Sequence, residues 1–172
     1  MKKIGLYYNF DTVKTKRVAN KIKEAFENSG EYEIVAVDVD EKLTEEQFME
    51  YDYMLLGAAT WMDGELPYYW DEFVPAMEDL DMNGKHIAIF GLGDQKNGTE
   101  NFQDAIGLLG YLLEDRGAKL YGFTNTEGYE FEESYGVRDD KFMGLSIDIE
   151  NQAALTDERI EAWVKQLQEE GF

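Results

Sequence analysis

Apolar runs and amphipathic stretches alternate along the whole chain, the pattern of strands interleaved with helices. The runs Ile4 to Tyr8, Tyr32 to Val37, Tyr53 to Gly57, His86 to Gly91 and Leu120 to Phe123 read as strands, and Gly144 to Ile147 resumes the last one after an insertion. Between them Val18, Ile22 and Phe26 recur every four residues, Ile106 and Gly110 share that spacing, and Ile160, Trp163, Val164 and Leu167 form a stripe near the C-terminal end. Each helix therefore has one side suited to a core. Strands alternating with helices predict an α/β fold: a doubly wound, five-stranded parallel sheet with helices on both faces and its last strand interrupted. The 172 residues suit one domain spanning 1–172. The segment Thr124 to Met143, rich in Gly, Glu and Asp, is too short for a domain and reads as a short hairpin or a loop.

In such a sheet ligands bind beyond the carboxyl ends of the strands, so the loops there carry the candidate chemistry. The first loop, Asn9, Phe10, Asp11, Thr12, Val13, Lys14 and Thr15, follows a strand and opens a helix. Its N–H groups and the Thr12 and Thr15 hydroxyls could surround a phosphate, or Thr12 could merely cap the helix. The GxxxxGK[ST] pattern is absent, which removes the main support for nucleotide hydrolysis. The second loop runs from Ala59 through Thr60, Trp61, Met62, Asp63 and Gly64. An indole at a strand end can stack on a flat heteroaromatic ring, whereas Trp70 and Trp163 sit in helical stretches with apolar neighbours and read as core. The third loop runs from Gly91, Leu92, Gly93 and Asp94 through Gly98 to Asn101 and Gln103. Its amides could read a polar ring edge, or it could be an ordinary connection with Asn101 as helix cap. Lys96 occupies the third glycine position of GxGxxG, so a dinucleotide fingerprint is rejected.

Composition narrows the chemistry. There is no cysteine, which excludes disulfides, thiolate nucleophiles and protein-ligated iron–sulfur clusters, so redox work needs an external cofactor. The sole histidine, His86, opens a strand-like run and reads as structural, which disfavours a His-based metal site or triad. A formal net charge of -21 repels nucleic acid and anionic membranes and favours basic protein partners. Met1-Lys2-Lys3 leads straight into a strand pattern without the apolar stretch of a signal peptide, and nothing downstream approaches a membrane span, so the cytoplasm is expected.

Together the three loops resemble those of the flavodoxins, and the resemblance spans essentially the whole chain. It rests on Thr60-Trp61 with Gly64-Glu65-Leu66, on Gly93-Asp94-Gln95, on Asn101-Phe102-Gln103-Asp104-Ala105-Ile106-Gly107, and on Leu155-Thr156-Asp157-Glu158-Arg159-Ile160 with Trp163. The insertion, with Gly128-Tyr129-Glu130-Phe131, resembles the one that marks long-chain members. The resemblance implies a noncovalent FMN cycled between semiquinone and hydroquinone in a low-potential, monomeric one-electron carrier. It implies phosphate contacts at Thr12, Thr15 and Thr60, and Trp61 on one flavin face. Asp94, Asn101 and Gln103 would lie near the pyrimidine edge, and the Met62–Asp63 peptide would turn its carbonyl toward the ring. Basic redox proteins such as a flavin-containing NADP reductase, or photosystem and nitrogenase components, are the implied partners. Asn9, Phe10 and Val13 stand where the family has small residues and glycine, and Val13 suits poorly any position that needs a positive φ. Gly98 stands where long-chain members place a tyrosine against the outer flavin face. A positive φ demanded at Met62 by the peptide's turn would disfavour the turned form, and Met62→Gly would then ease it. The alternatives are an FMN-dependent quinone reductase and a flavin-free interaction module on the same fold.

Overall fold

The computed structural model describes residues 1–172. In chain order the elements are β1 (Lys2–Tyr8), α1 (Lys14–Glu27), β2 (Tyr32–Asp38), α2 (Glu45–Phe48), β3 (Tyr53–Ala59), α3 (Tyr68–Asp71), α4 (Val74–Glu78) and β4 (His86–Leu92). Then come α5 (Asp104–Asp115), β5 (Lys119–Tyr121), β6 (Thr124–Asn125), β7 (Val137–Arg138), β8 (Lys141–Phe142), β9 (Leu145–Ile147), α6 (Ile149–Gln152) and α7 (Thr156–Glu169). The main sheet has the order β2-β1-β3-β4-β5, and every pair in it is parallel. Its central strands are buried on both faces, which is why they read as unbroken apolar runs rather than alternating ones.

Two cores flank the sheet. One collects Val18, Ile22 and Phe26 of α1 with Ile160, Trp163 and Val164 of α7; the other collects Trp70, Met77, Ile106 and Leu109 from α3 to α5. The Trp70 and Trp163 indoles are both core residues, and each donates its N–H to a backbone carbonyl, of Gly57 at 2.9 Å and Gly122 at 2.8 Å. His86 lies at the amino end of β4, stacked 4.4 Å from Tyr53 with Nδ1 2.7 Å from the Tyr121 hydroxyl, far along the strand from the functional loops. No helix is long and apolar enough to cross a membrane.

The last strand departs from expectation in detail. It ends at Tyr121 rather than Phe123, because Gly122 turns at φ +80° and gives its carbonyl to Trp163. β5 therefore pairs only with His86 to Ala88, and β9 takes over alongside Phe90 to Leu92. The intervening segment does contain a short hairpin, β7–β8, closed by Asp139 and Asp140 at φ +52° and +64°, and β6 adds a third strand to it. It forms a three-stranded antiparallel sheet of order β6-β8-β7, whose Phe142 packs edge-on against Phe102 and Tyr129.

Candidate functional site

Beyond the carboxyl end of β1, Asn9 organises the first loop. It is buried, donates Nδ2 to the Val39 carbonyl at 2.9 Å, and accepts the Asp11 N–H on Oδ1 at 3.0 Å. The Phe10 N–H goes to Asp38 Oδ1 at 2.9 Å and the Thr12 N–H to the Asn9 carbonyl at 3.2 Å. The Thr12 hydroxyl also donates to that carbonyl, at 2.7 Å, so its proton points back into the loop. Thr12 borders the second cleft but does not cap the helix; Val13 holds the cap position, with no side-chain cap at all. Val13 adopts φ -89°, an ordinary helical value, so the position glycine occupies in the family makes no left-handed demand here. The N–H groups of Val13, Lys14, Thr15 and Lys16 find no acceptor in the protein. A bare helix N-terminus of this kind attracts an anion through its dipole and its free donors.

The loop after β3 closes as a tight turn. Trp61 N–H donates to the Glu65 carbonyl at 2.9 Å, and Gly64 N–H donates back to the Trp61 carbonyl at 3.1 Å. Asp63 sits at φ +61° and Gly64 at φ +78°. Glycine is required at position 64 on two grounds, since a Cβ there would also lie 2.5 Å from Asp104 Oδ2. Met62 is not among the positive-φ residues, so the left-handed cost rests on Asp63. The Trp61 ring is 43% exposed, backed edge-on by Tyr69 at 6.0 Å. Burial, then the neighbouring Tyr68, pushes the Tyr69 hydroxyl up to about 12, so it stays protonated. Thr60 Oγ1 accepts the Ala105 N–H at 3.0 Å, which caps α5 from another strand and leaves the hydroxyl proton free to donate outward.

The third loop brings Asp94, Asn101 and Gln103 to the border of one cleft. Burial raises the Asp94 carboxyl, but hydrogen bonds from Asn97, Asn151 and Lys96 outweigh it and hold the group down at about 2. Those donors, the Lys96 and Asn97 amides at 3.0 Å and the Asn151 and Asn97 side chains at 2.8 and 2.9 Å, commit the carboxylate to holding the loop. Gln103 is fully buried at φ +59°, with Nε2 on the Gly91 carbonyl at 3.1 Å, Ser146 Oγ at 3.0 Å and the Ile147 carbonyl at 3.2 Å. Its side chain sews the interrupted strand to β4, and only its position on the loop borders the cleft. Nor does Asn101 cap α5; Gln103 holds that position without a side-chain cap.

These loops enclose two adjoining clefts. One, of about 510 Å³, is bordered by Trp61, Met62, Asp63, Gly98, Asn101 and Gln103. The other, of about 480 Å³, is bordered by Thr12, Val13, Lys14, Thr15, Ala59 and Leu92. Thr60, Trp61, Gly93 and Asp94 line both, so the two are lobes of one groove. Asn9, Phe10, Asp11, Gly64 and Gly91 line neither lobe and act by shaping the loops. Ile149 and Glu150, which follow β9, line the second lobe but escape the sequence reading. The rule that ligands sit beyond strand ends, applied to the resumed last strand, points to them. Gly98 also borders the ring lobe, where Phe102, itself 1% exposed, is the one aromatic residue besides Trp61. The arrangement suits a flat ring carrying a phosphate on a flexible arm.

The family model for flavodoxins matches residues 6–163. A flavodoxin of Nostoc sp. is 41% identical over 169 residues, covering 98% of this chain and 97% of its own. Flavodoxin 1 of Escherichia coli K12 is 41% identical over 167 residues, covering 96% and 93%. Among solved structures, Fusobacterium nucleatum flavodoxin bound to flavin mononucleotide superposes with a TM-score of 0.88 at 30% identity, covering 99% of each chain. A point mutant of that same flavodoxin, also bound to flavin mononucleotide, gives 0.90 at 31%, covering 99% and 97%.

Proposed function

Because the chain belongs to the flavodoxin family, we propose that residues 1–172 form one monomeric domain that holds FMN noncovalently and carries single electrons at low potential between redox proteins. It is an electron-transfer protein rather than an enzyme. One observation carries the reading. A single groove has a bare helix N-terminus in one lobe and an exposed indole where that lobe meets the other, which fits a phosphate and a flat ring joined by a short arm.

Bound FMN supplies the redox chemistry. The protein binds it, orients it and sets the charge around it. The free amides of Val13 to Lys16, with Thr15 and Lys14 beside them, receive the phosphate; Thr60 donates at the junction of the two lobes; Trp61 covers one face of the ring. Asp63, Asp94 and Glu100 surround the ring lobe with carboxylates. They oppose a negative charge arriving there, which makes the reduced protein a strong reductant. Each ~1.4 kcal/mol of such opposition lowers a one-electron potential by about 60 mV. Partners with basic docking surfaces complement the charge of -21. A flavin-containing NADP reductase, and photosystem or nitrogenase components, are of that kind, and the cytoplasm is the expected setting.

Purification followed by absorption spectroscopy tests the reading. A visible flavin spectrum that is lost on stripping and restored by FMN, with separate midpoint potentials for the two electrons, is expected. A protein that stays colourless with added FMN would end the proposal, and quinone-dependent NADPH turnover without any added reductase would move it to the enzyme class.

A further inference from the structure

Lys14 is the basic side chain in the phosphate lobe, and it is already paired: its Nζ meets the Glu150 carboxylate across the cleft. Glu150 cannot be drawn away by moving its helix. Asp148, which caps α6 by accepting the Asn151 N–H at 3.0 Å, is 1% exposed and tied to Gln95 through bonds of 3.1 and 2.7 Å. The carboxylate therefore stays within side-chain reach of the same N-terminus that suits a phosphate. A phosphate monoester carries about -1.5 to -2 charges at neutral pH, so two anions converge on one ammonium group.

We infer that Glu150 is an internal competitor of the FMN phosphate for Lys14, and that it sets how strongly the protein prefers FMN over the same ring without phosphate. The inference rests on the groove being an FMN site. The pair is half exposed, at 52% and 47% for the two side chains. Exposed pairs contribute up to about 1 kcal/mol, equivalent to about five-fold in affinity. That ceiling lets the competition tune phosphate affinity without abolishing it. Glu150→Gln removes the charge, keeps the shape, and leaves Lys14 to the phosphate.

Fluorescence titration of stripped protein with FMN and with riboflavin, at low ionic strength, tests this. Glu150→Gln is expected to lower the FMN dissociation constant by about five-fold while leaving that of riboflavin unchanged. In a Lys14→Met background the same change is expected to give a clearly smaller gain. Equal effects on FMN and riboflavin, or no effect on FMN, would overturn the inference. So would a gain of the same size without Lys14, because Glu150 would then act only by general repulsion. If the wild-type protein takes up neither flavin, it is the FMN site itself that fails, which is a different result from any of these.

Discussion

A peptide plane rotates about the ψ of the residue before it and the φ of the residue after it. Turning the Met62–Asp63 peptide therefore changes ψ at Met62 and φ at Asp63. Asp63 begins at φ +61°, so the turn relieves a left-handed residue instead of creating one, and Met62 needs no glycine. Asp63→Gly is expected to stabilise the observed turn by about 1 kcal/mol relative to the turned form, which lowers the first one-electron potential by tens of millivolts. Asp63→Asn provides the charge-matched control, and Met62→Gly is expected to do little. Potentiometric titration of the three variants decides the matter; a larger shift in Met62→Gly than in Asp63→Gly would contradict the assignment. Gly98 tests the outer flavin face. A Cβ there lies 3.2 Å from the Asp94 carbonyl, so a small shift of the loop admits a side chain. Gly98→Tyr is expected to tighten FMN binding by roughly 0.5 to 1.5 kcal/mol through stacking, read from dissociation constants.

At the scale of elements, the site depends on ties between segments far apart in sequence. Gln103 joins β4 to β9, and removing its amide leaves buried carbonyls short of a donor. Gln103→Ala is expected to cost about 1 to 3 kcal/mol in denaturant unfolding. Asp94 ties the third loop to α6 through Asn151. Its folded pKa of about 2 lies below the ordinary 3.8. The stabilisation is thus fully present above the unfolded value and is lost as pH falls through the folded one. The stability gap between wild type and Asp94→Asn is expected to shrink between pH 4 and pH 2. A gap that stays constant across that window would show that the carboxylate's charge is not what holds the loop. None of these ties is legible from local pattern. Asn101 looks like a cap because Asn favours caps, yet it gives only its backbone carbonyl, to the Asp104 N–H, and the Ala105 N–H at the start of α5 is met by Thr60 from a neighbouring strand.

For the whole molecule, 37 acidic residues against 16 basic ones give a field that reaches well beyond any single contact. Association with a basic redox partner is expected to slow about ten-fold or more as salt rises from low to physiological levels, measured by stopped-flow electron transfer. A rate indifferent to salt would mean that the charge serves solubility alone.

The apolar runs and four-residue spacings by themselves determined the alternation of strands and helices, the faces they bury, and the strand ends where a ligand binds. Those are local properties, set by side-chain periodicity and by the buried nature of a parallel sheet. Trp61, Trp70 and Trp163 were separable on that basis alone. Only the tertiary structure decided which groups near the groove are free. Asp94 and Gln103 have the right chemistry for a ligand, but partners elsewhere in the fold engage their side chains, whereas the Thr12 hydroxyl turns to the Asn9 carbonyl within its own loop. Glu150 is brought to Lys14 by the resumption of the last strand beside β4. Hydrogen bonding is exclusive and short-ranged, so which donor remains for a cofactor depends on neighbours that the chain's order does not reveal.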